Sequence, residues 1–527
     1  MHLGMSKSKN STSLYVLKST YENGFHSTKI VEKLGTVEEL SKKLNGEDPI
    51  VWAKKYISDL NKQEKDDKHE VTAKYSPVKI IKKDEQRYFN GGYFFLQKIY
   101  GELGFHDICN ELKKKHKFDY DFDSVFSRLI FSRIIYPSAN LSYYDSACMF
   151  IEPPSFTPLQ VAKALKVLAV EEECIRTRIF ENIQKFVGID YTNLHYDSTI
   201  CLYEPSRRKN RSVPIIPIEI YTDGNMIPLT YRINPEHLDH LEQNQIEDKI
   251  QRLYRHQPVT STTDGGLISN SSKKFKDWGN KNSYIVSLVY SQLRDSEKNY
   301  VAEPNGWIRS DTHEVCNIEE LRITDEVKNP SRYYYKEIKT NNQRTIITYS
   351  IYNVEQSRLL HEARLSSFSN TPTLESIGAE IINTNHPFSN GIRAFVTNIN
   401  SPVSEIVNIA KIREISHRAL RVFSMEIPNK GAVLSSREQL NAHFITCFSA
   451  LVVYSVFLKD YKLLYQAEES LSQLRAMNFM KIRSEGYVPL YTRNNLTDHL
   501  HECSGFRTDY EIINARQMKK LFKLGKK

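Results

Sequence analysis

Two aspartates stand out among the acidic residues of this 527-residue chain. Asp197 lies in Leu194–Leu202, which reads as a strand, and Asp264 closes the short β-branched run Pro258–Thr263. They are 67 residues apart (264 − 197). Two carboxylates held side by side repel each other unless a cation sits between them. Mg²⁺ takes one or two carboxylates and completes its shell with phosphate oxygens and water. Two such ions ~3.5–4 Å apart activate a water or a 3′-hydroxyl and stabilise the leaving oxygen of a phosphodiester. An Asp at a strand end also serves as a turn former or helix cap, so that chemistry requires elements that bring the pair together.

The intervening pattern supplies such elements. Ile215–Thr222 and Met226–Ile233 alternate around Asp223-Gly224-Asn225, a hairpin signal. A polar helix over about 238–255 precedes the Asp264 strand. A helix near 271–278 and a strand at 284–290 follow it. A three-strand meander followed by a helix and a parallel strand is the ribonuclease H-like order. In that order the first and fourth strands are neighbours, which sets Asp197 beside Asp264.

Elsewhere the chain divides by character. Residues 1–10 are polar and expected to fray. Residues 1–62 read as a hairpin plus helices, with Thr36-Val37-Glu38-Glu39 as a capping box and Asp48-Pro49 opening a second helix. Residues 63–89 read as a linker and 90–190 as a helical region suited to DNA binding. Residues 191–292 and 391–465 hold the elements of the α/β domain. A strand-rich stretch lies at 293–390, and 466–527 reads as a basic tail. The fold class expected is multidomain α/β: a ribonuclease H-like mixed sheet interrupted by a β-rich insertion, with a helical N-terminal region.

Composition excludes several classes. Apolar residues make up 40% and charged residues 26%, enough to bury a core. Seventy-two Lys+Arg against 63 Asp+Glu give +9, a sign that suits a polyanionic partner. The seven cysteines form no CxxC pair, which argues against a zinc ribbon or a disulfide scaffold. The N-terminus has no apolar signal-like stretch, and Ala442–Leu458 is short for a membrane span, so a cytoplasmic protein is expected. No GxxxxGK[ST] or GxGxxG occurs, so no nucleotide cofactor is expected.

Several motifs together resemble one family. Leu194-His195-Tyr196-Asp197-Ser198-Thr199, with Tyr203-Glu204 just after, resembles the "YYDvTtyYFE" first-aspartate motif of DDE transposases of bacterial insertion sequences. Asp223-Gly224-Asn225-Met226-Ile227-Pro228-Leu229 resembles their "dGiPL" hairpin. Thr263-Asp264-Gly265-Gly266-Leu267-Ile268-Ser269 resembles their "tDaGLaS" second-aspartate motif. Leu440-Asn441-Ala442-His443-Phe444-Ile445-Thr446-Cys447-Phe448 is similar to their "I.AHFl.CF.aL" helix. The hairpin from Ser13 to Gly35 and the Val396-Thr397-Asn398 strand extend the likeness over nearly the whole chain.

The resemblance implies a transposase. It would cut at the terminal inverted repeats of its element and join the 3′-hydroxyl to target DNA, as a homodimer on DNA near the nucleoid. It would use two Mg²⁺ (or Mn²⁺) ions, with Asp197, Asp264 and His417 as metal ligands. Arg413, the basic loop Arg207-Arg208-Lys209 and the helical cluster Lys113-Lys114-Lys115 are the candidate DNA contacts.

Two elements depart from the pattern: Asn234-Pro235-Glu236-His237 stands where the family carries "GN..E" after the hairpin, and the third-acid signature is largely lost. The family's third acid is a Glu within Tyr-x2-Arg-x3-Glu-x6-Lys; in ungapped register these fall on Ala410, Arg413, His417 and Ser424, so only the Arg survives. His417 then binds metal through a neutral imidazole, favouring Mn²⁺, or Glu414, three residues earlier on the same helix face, substitutes. Otherwise the copy is a catalytically dead DNA-binding remnant. A ribonuclease H-fold nuclease without strand transfer is a further alternative. His237 and His240 (H-x2-H) read as a solvated helix start, and His499, His501 and Cys503 alternate as in a strand.

Overall fold

A computed structural model describes residues 1–8, 11–22, 25–44, 47–67, 76–83, 85–137, 142–190, 194–202, 215–225, 227–233, 259–264, 283–288, 290–318, 332–340, 343–350, 354, 391–425, 437–482 and 486–524. The chain forms two units, one over residues 1–85 with 482–485, the other over 86–481 with 486–527.

The first unit is a three-stranded antiparallel sheet, β1 (His2–Lys7), β2 (Thr12–Glu22) and β3 (Phe25–Thr36), with helices α1 (Val37–Lys43) and α2 (Pro49–Asp67). The polar N-terminus is therefore not frayed: β1 pairs with β2 from His2↔Leu17 to Lys7↔Thr12. The capping box forms as expected. Thr36 Oγ1 accepts the Glu39 N–H at 3.2 Å, and Glu39 Oε2 accepts the Thr36 N–H at 2.9 Å. Leu14, Leu40 and Ala53 make the small core. The charge-rich start of the expected linker is helical instead, because α2 continues to Asp67 through Lys, Gln and Glu, all good helix formers.

The second unit begins with β4 (Tyr88–Asn90) and six helices: α3 (Tyr93–Glu102), α4 (Phe105–His116), α5 (Phe122–Ile135), α6 (Tyr143–Cys148), α7 (Pro158–Val170) and α8 (Glu172–Asn182). Its strands are β5 (Leu194–Leu202), β6 (Ile215–Thr222), β7 (Pro228–Ile233), β8 (Val259–Asp264) and β9 (Ser283–Leu288). Helix α9 (Asp295–Ala302) follows, then β10 (Trp307–Arg309), β11 (Val315–Cys316), β12 (Tyr334–Thr340), β13 (Gln343–Tyr349) and β14 (Ile392–Thr397). All ten join one mixed sheet in the order β11-β10-β12-β13-β14-β9-β8-β5-β6-β7. The strand-rich stretch 293–390 is thus no separate sheet in its described parts. β13 pairs antiparallel with β14, satisfying what would otherwise be an open edge.

Helix α10 (Val403–Met425) lies on one face of the sheet, where Ile406, Val407 and Ala410 pack with Ile285, Ile346 and Phe395. The opposite parity, with Ile347, Tyr349, Ile392 and Ala394, covers a second cluster around Trp307. There the Lys336 ammonium donates to the carbonyls of Tyr300 and Glu303, both at 2.7 Å, at the end of α9. Helix α11 (Arg437–Asp460) packs against α3, α5, α7, α8, α10 and β7. It alone among the described residues is long and apolar enough to cross a membrane, and 83% of its apolar window is buried inside the protein.

The expected basic tail is instead folded. Helix α12 (Ala467–Ala476), β15 (Asn478–Ile482), β16 (Gly486–Pro489), α13 (Asn495–Ser504), β17 (Ile513–Asn514) and α14 (Ala515–Leu521) follow α11. Three of these strands join β4 in the order β17-β16-β15-β4. Leu474, Phe479, Leu500 and Met518 enter the main core, a burial that outweighs the lysine-rich composition. His499, His501 and Cys503 sit on α13, not on a strand. Asn494 caps that helix by accepting the Thr497 N–H at 2.9 Å.

Candidate active site

The first and fourth strands of the α/β segment are adjacent. β5 runs parallel to β8 with Leu194↔Val259, His195↔Thr260 and Tyr196↔Ser261 in register. The ladder ends there; continued one step at the same register, position 197 would stand opposite 262, two residues before Asp264. Strand geometry then separates the two aspartate Cα positions by about 8 Å. β8 is parallel to β9 in turn, with Thr262↔Ile285 and Asp264↔Ser287. Strand alternation therefore gives positions 197, 262 and 264 the parity of Ile285, the residue that meets α10.

Helix α10 itself packs beside β5 and β9. Ile406, Ala410, Arg413 and position 417 recur along it at helical spacing, so the stripe that meets the sheet continues into the region of the third acid. Arg413 is buried, at 4% exposure, and Glu414 is half-buried. Lys411 on the same helix stacks its ammonium 4.7 Å from the Tyr333 ring, and burial pushes its pKa down. The register and the helix thus bring Asp197, Asp264, Glu414 and His417 to one sheet face as backbone positions.

The hairpin after β5 is pinned by its aspartate. The fully buried Asp223 carboxylate accepts N–H groups from Asp190, Asn225 and Ile227 at 3.0, 3.0 and 2.8 Å. These bonds tie the turn to the chain entering β5. A Cβ at Gly224 would stand 2.3 Å from Asp190 Oδ2, so a side chain there would make the Asp190 carboxylate move.

His195, two residues before Asp197, was not singled out by its own spacing. It is 2% exposed, and its Nδ1 finds no hydrogen-bond partner among the described residues. Burial pushes its pKa down to about 4 from about 6.5. The folded state then holds fewer protons than the unfolded chain between those values, so stability falls as pH drops from 6.5 towards 4. Between pH 7 and 4.5 the wild type should lose about 2 kcal/mol more than His195→Leu in urea unfolding. Parallel pH profiles would show that the imidazole stays protonated on folding.

The remaining candidates separate. Arg207, Arg208, Lys209, His237 and His240 lie outside the described residues. Lys115 and the adjacent His116 both meet the buried Glu171, each at 2.7 Å, which joins α4 to the α7–α8 corner. Lys113 and Lys114 point into a cleft of about 760 Å³ beside α8. His443 is a core residue: Arg133 Nη2 donates to its Nδ1 at 3.0 Å.

A second cluster, which the strand-like alternation of His499, His501 and Cys503 does not foretell, joins Asp498, His501 and Asp509. It is closed to metal by its own bonds. His501 Nε2 accepts the Thr508 N–H at 3.1 Å, which leaves the hydrogen on Nδ1 in the neutral ring. Arg507 Nη2 holds the two carboxylates at 2.7 and 2.5 Å. The cluster is an ion-pair network that fastens the end of α13.

No protein-family model, curated protein or solved structure matches the chain.

Proposed function

We propose that the chain is a DDE-type DNA transposase whose α/β segment is a ribonuclease H-like catalytic domain. The observation that carries this reading is the β7-β6-β5-β8-β9 order, with β5 parallel to β8 and Asp197 and Asp264 at matching parity. Helix α10, carrying Glu414 and His417, supports it from the same face.

Two aspartates on neighbouring strands supply hard oxygen donors of the kind Mg²⁺ and Mn²⁺ take. Asp197 would serve both ions, Asp264 one, and the Glu414/His417 turn would complete the second. Bound there, the ions would supply Lewis acidity for phosphodiester exchange. Arg413 would neutralise a phosphate. The partners are duplex DNA with terminal inverted repeats and target DNA, the enzyme is a dimer on that DNA, and its place is the cytoplasm.

A catalytically dead DNA-binding remnant is the second reading, favoured by His417 standing where the resemblance expects Glu. An imidazole removes a negative charge from a site for hard cations. The purified chain, given duplex ending in its element's inverted repeat with Mg²⁺ or Mn²⁺, is expected to nick it. It should then join a 3′-hydroxyl donor to a second duplex. Salt-sensitive binding without nicking would favour the remnant, and nicking without joining a plain nuclease.

A further inference from the structure

The cleft between α4 and α8 has a charge imbalance that the fold does not use. Its wall from α4 carries Lys113 and Lys114; across it lie Arg178, Lys185 and Phe186. Arg178 is already committed, since its guanidinium meets Glu111 at 2.9 and 3.1 Å. Lys113, Lys114 and Lys185 have no acidic partner among the described residues, and Asp107 is the one other acid in the lining. The uncompensated charge is therefore +2 (three lysines less one aspartate). Phe186 lies half in solvent at 51% exposure, with Lys185 Nζ 4.7 Å from its ring.

A half-exposed aromatic ring beside lysines that lack acidic partners suits a ligand that is anionic and partly apolar. The lysines are solvent-facing and spread over two helical segments, rather than converging on one buried point. Such an array fits a repeated charge better than a single small anion. Duplex DNA offers about one phosphate per ~1.7 Å of axis, with sugar faces between.

We infer that this cleft grips the sugar–phosphate backbone of duplex DNA, with Lys113, Lys114 and Lys185 on phosphates and Phe186 against deoxyribose. The inference rests on the reading of the chain as a DNA-processing enzyme and names a surface for it. Lys115, tied to Glu171, is not part of that surface. The contact positions the duplex without reading its sequence.

The test uses the full chain and a labelled random-sequence DNA duplex, titrated by fluorescence anisotropy over a range of salt. Lys113→Glu/Lys185→Glu is compared with Lys163→Glu/Lys166→Glu, the same charge change on the exposed face of α7. Thermal melts check that both are folded. The cleft variant should bind at least about tenfold more weakly and lower the salt slope by about 2, while the α7 variant stays near wild type. Equal losses in the two variants, or an unchanged slope in the cleft variant, would overturn the cleft assignment. A wild-type chain that binds duplex through the cleft but does not nick it tells against the catalytic reading alone. A wild-type chain that binds no duplex would defeat both.

Discussion

Replacing Asp197 with alanine is expected to abolish metal-dependent nicking while leaving duplex binding intact. The loss should exceed the ~10–100-fold typical of outer-shell partners of a metal, because this position would supply a bridging ligand. The reason lies in the backbone. β5 and β8 are parallel neighbours, and positions 197 and 264 match in parity. No other described acid on β5 or β8 can take over. The companion variant, His417→Glu, restores a third carboxylate on α10 and should raise Mg²⁺-supported cleavage about tenfold or more over wild type. Parallel assays in Mg²⁺ and Mn²⁺ decide the third ligand. If His417→Glu gains nothing and Glu414→Gln loses everything, Glu414 is that ligand and the ungapped register is wrong. If Asp197→Ala cleaves like wild type, the two-aspartate site does not exist.

The second large effect concerns the C-terminal segment. Asn90 is fully buried at the end of β4. Its Nδ2 donates to the carbonyls of Leu474 and Arg475 at 2.9 and 3.2 Å, and its Oδ1 accepts the Gly92 N–H at 2.9 Å. Alanine there strands buried backbone groups, each worth about 1–3 kcal/mol, so Asn90→Ala should cost about 3 kcal/mol. At Gly92, a Cβ would stand 2.1 Å from the Leu474 carbonyl oxygen. That neighbour is backbone and cannot swing aside, so Gly92→Ala should cost about 1–3 kcal/mol or more. Urea unfolding followed by circular dichroism reads both. If each variant stays within about 0.5 kcal/mol of wild type, α12 is not docked on the start of α3 as described.

These two cases differ in how far the sequence foretold them. The strand-and-turn order from 194 to 290 was legible because alternation and the Asp223-Gly224-Asn225 turn act over a few residues. The helices over 90–190 were legible for the same local reason. The fate of 466–527 was not. Five lysines lie near its end, whereas Leu474, Phe479 and Met518 bury in the main core, with the Phe479 strand paired to β4, almost 400 residues earlier. Nor could spacing tell Lys115 from Lys113 and Lys114. Their difference is Glu171, which approaches from another helix.

By itself, then, the sequence determined local periodicity, turns, caps and the identity of the acids, since neighbouring residues settle these through backbone geometry and short hydrogen bonds. Tertiary structure alone decided which strands became neighbours, which charges were consumed by partners, and how β10–β13 extended one sheet. Those outcomes depend on burial and pairing between segments far apart in the chain, which no short window contains.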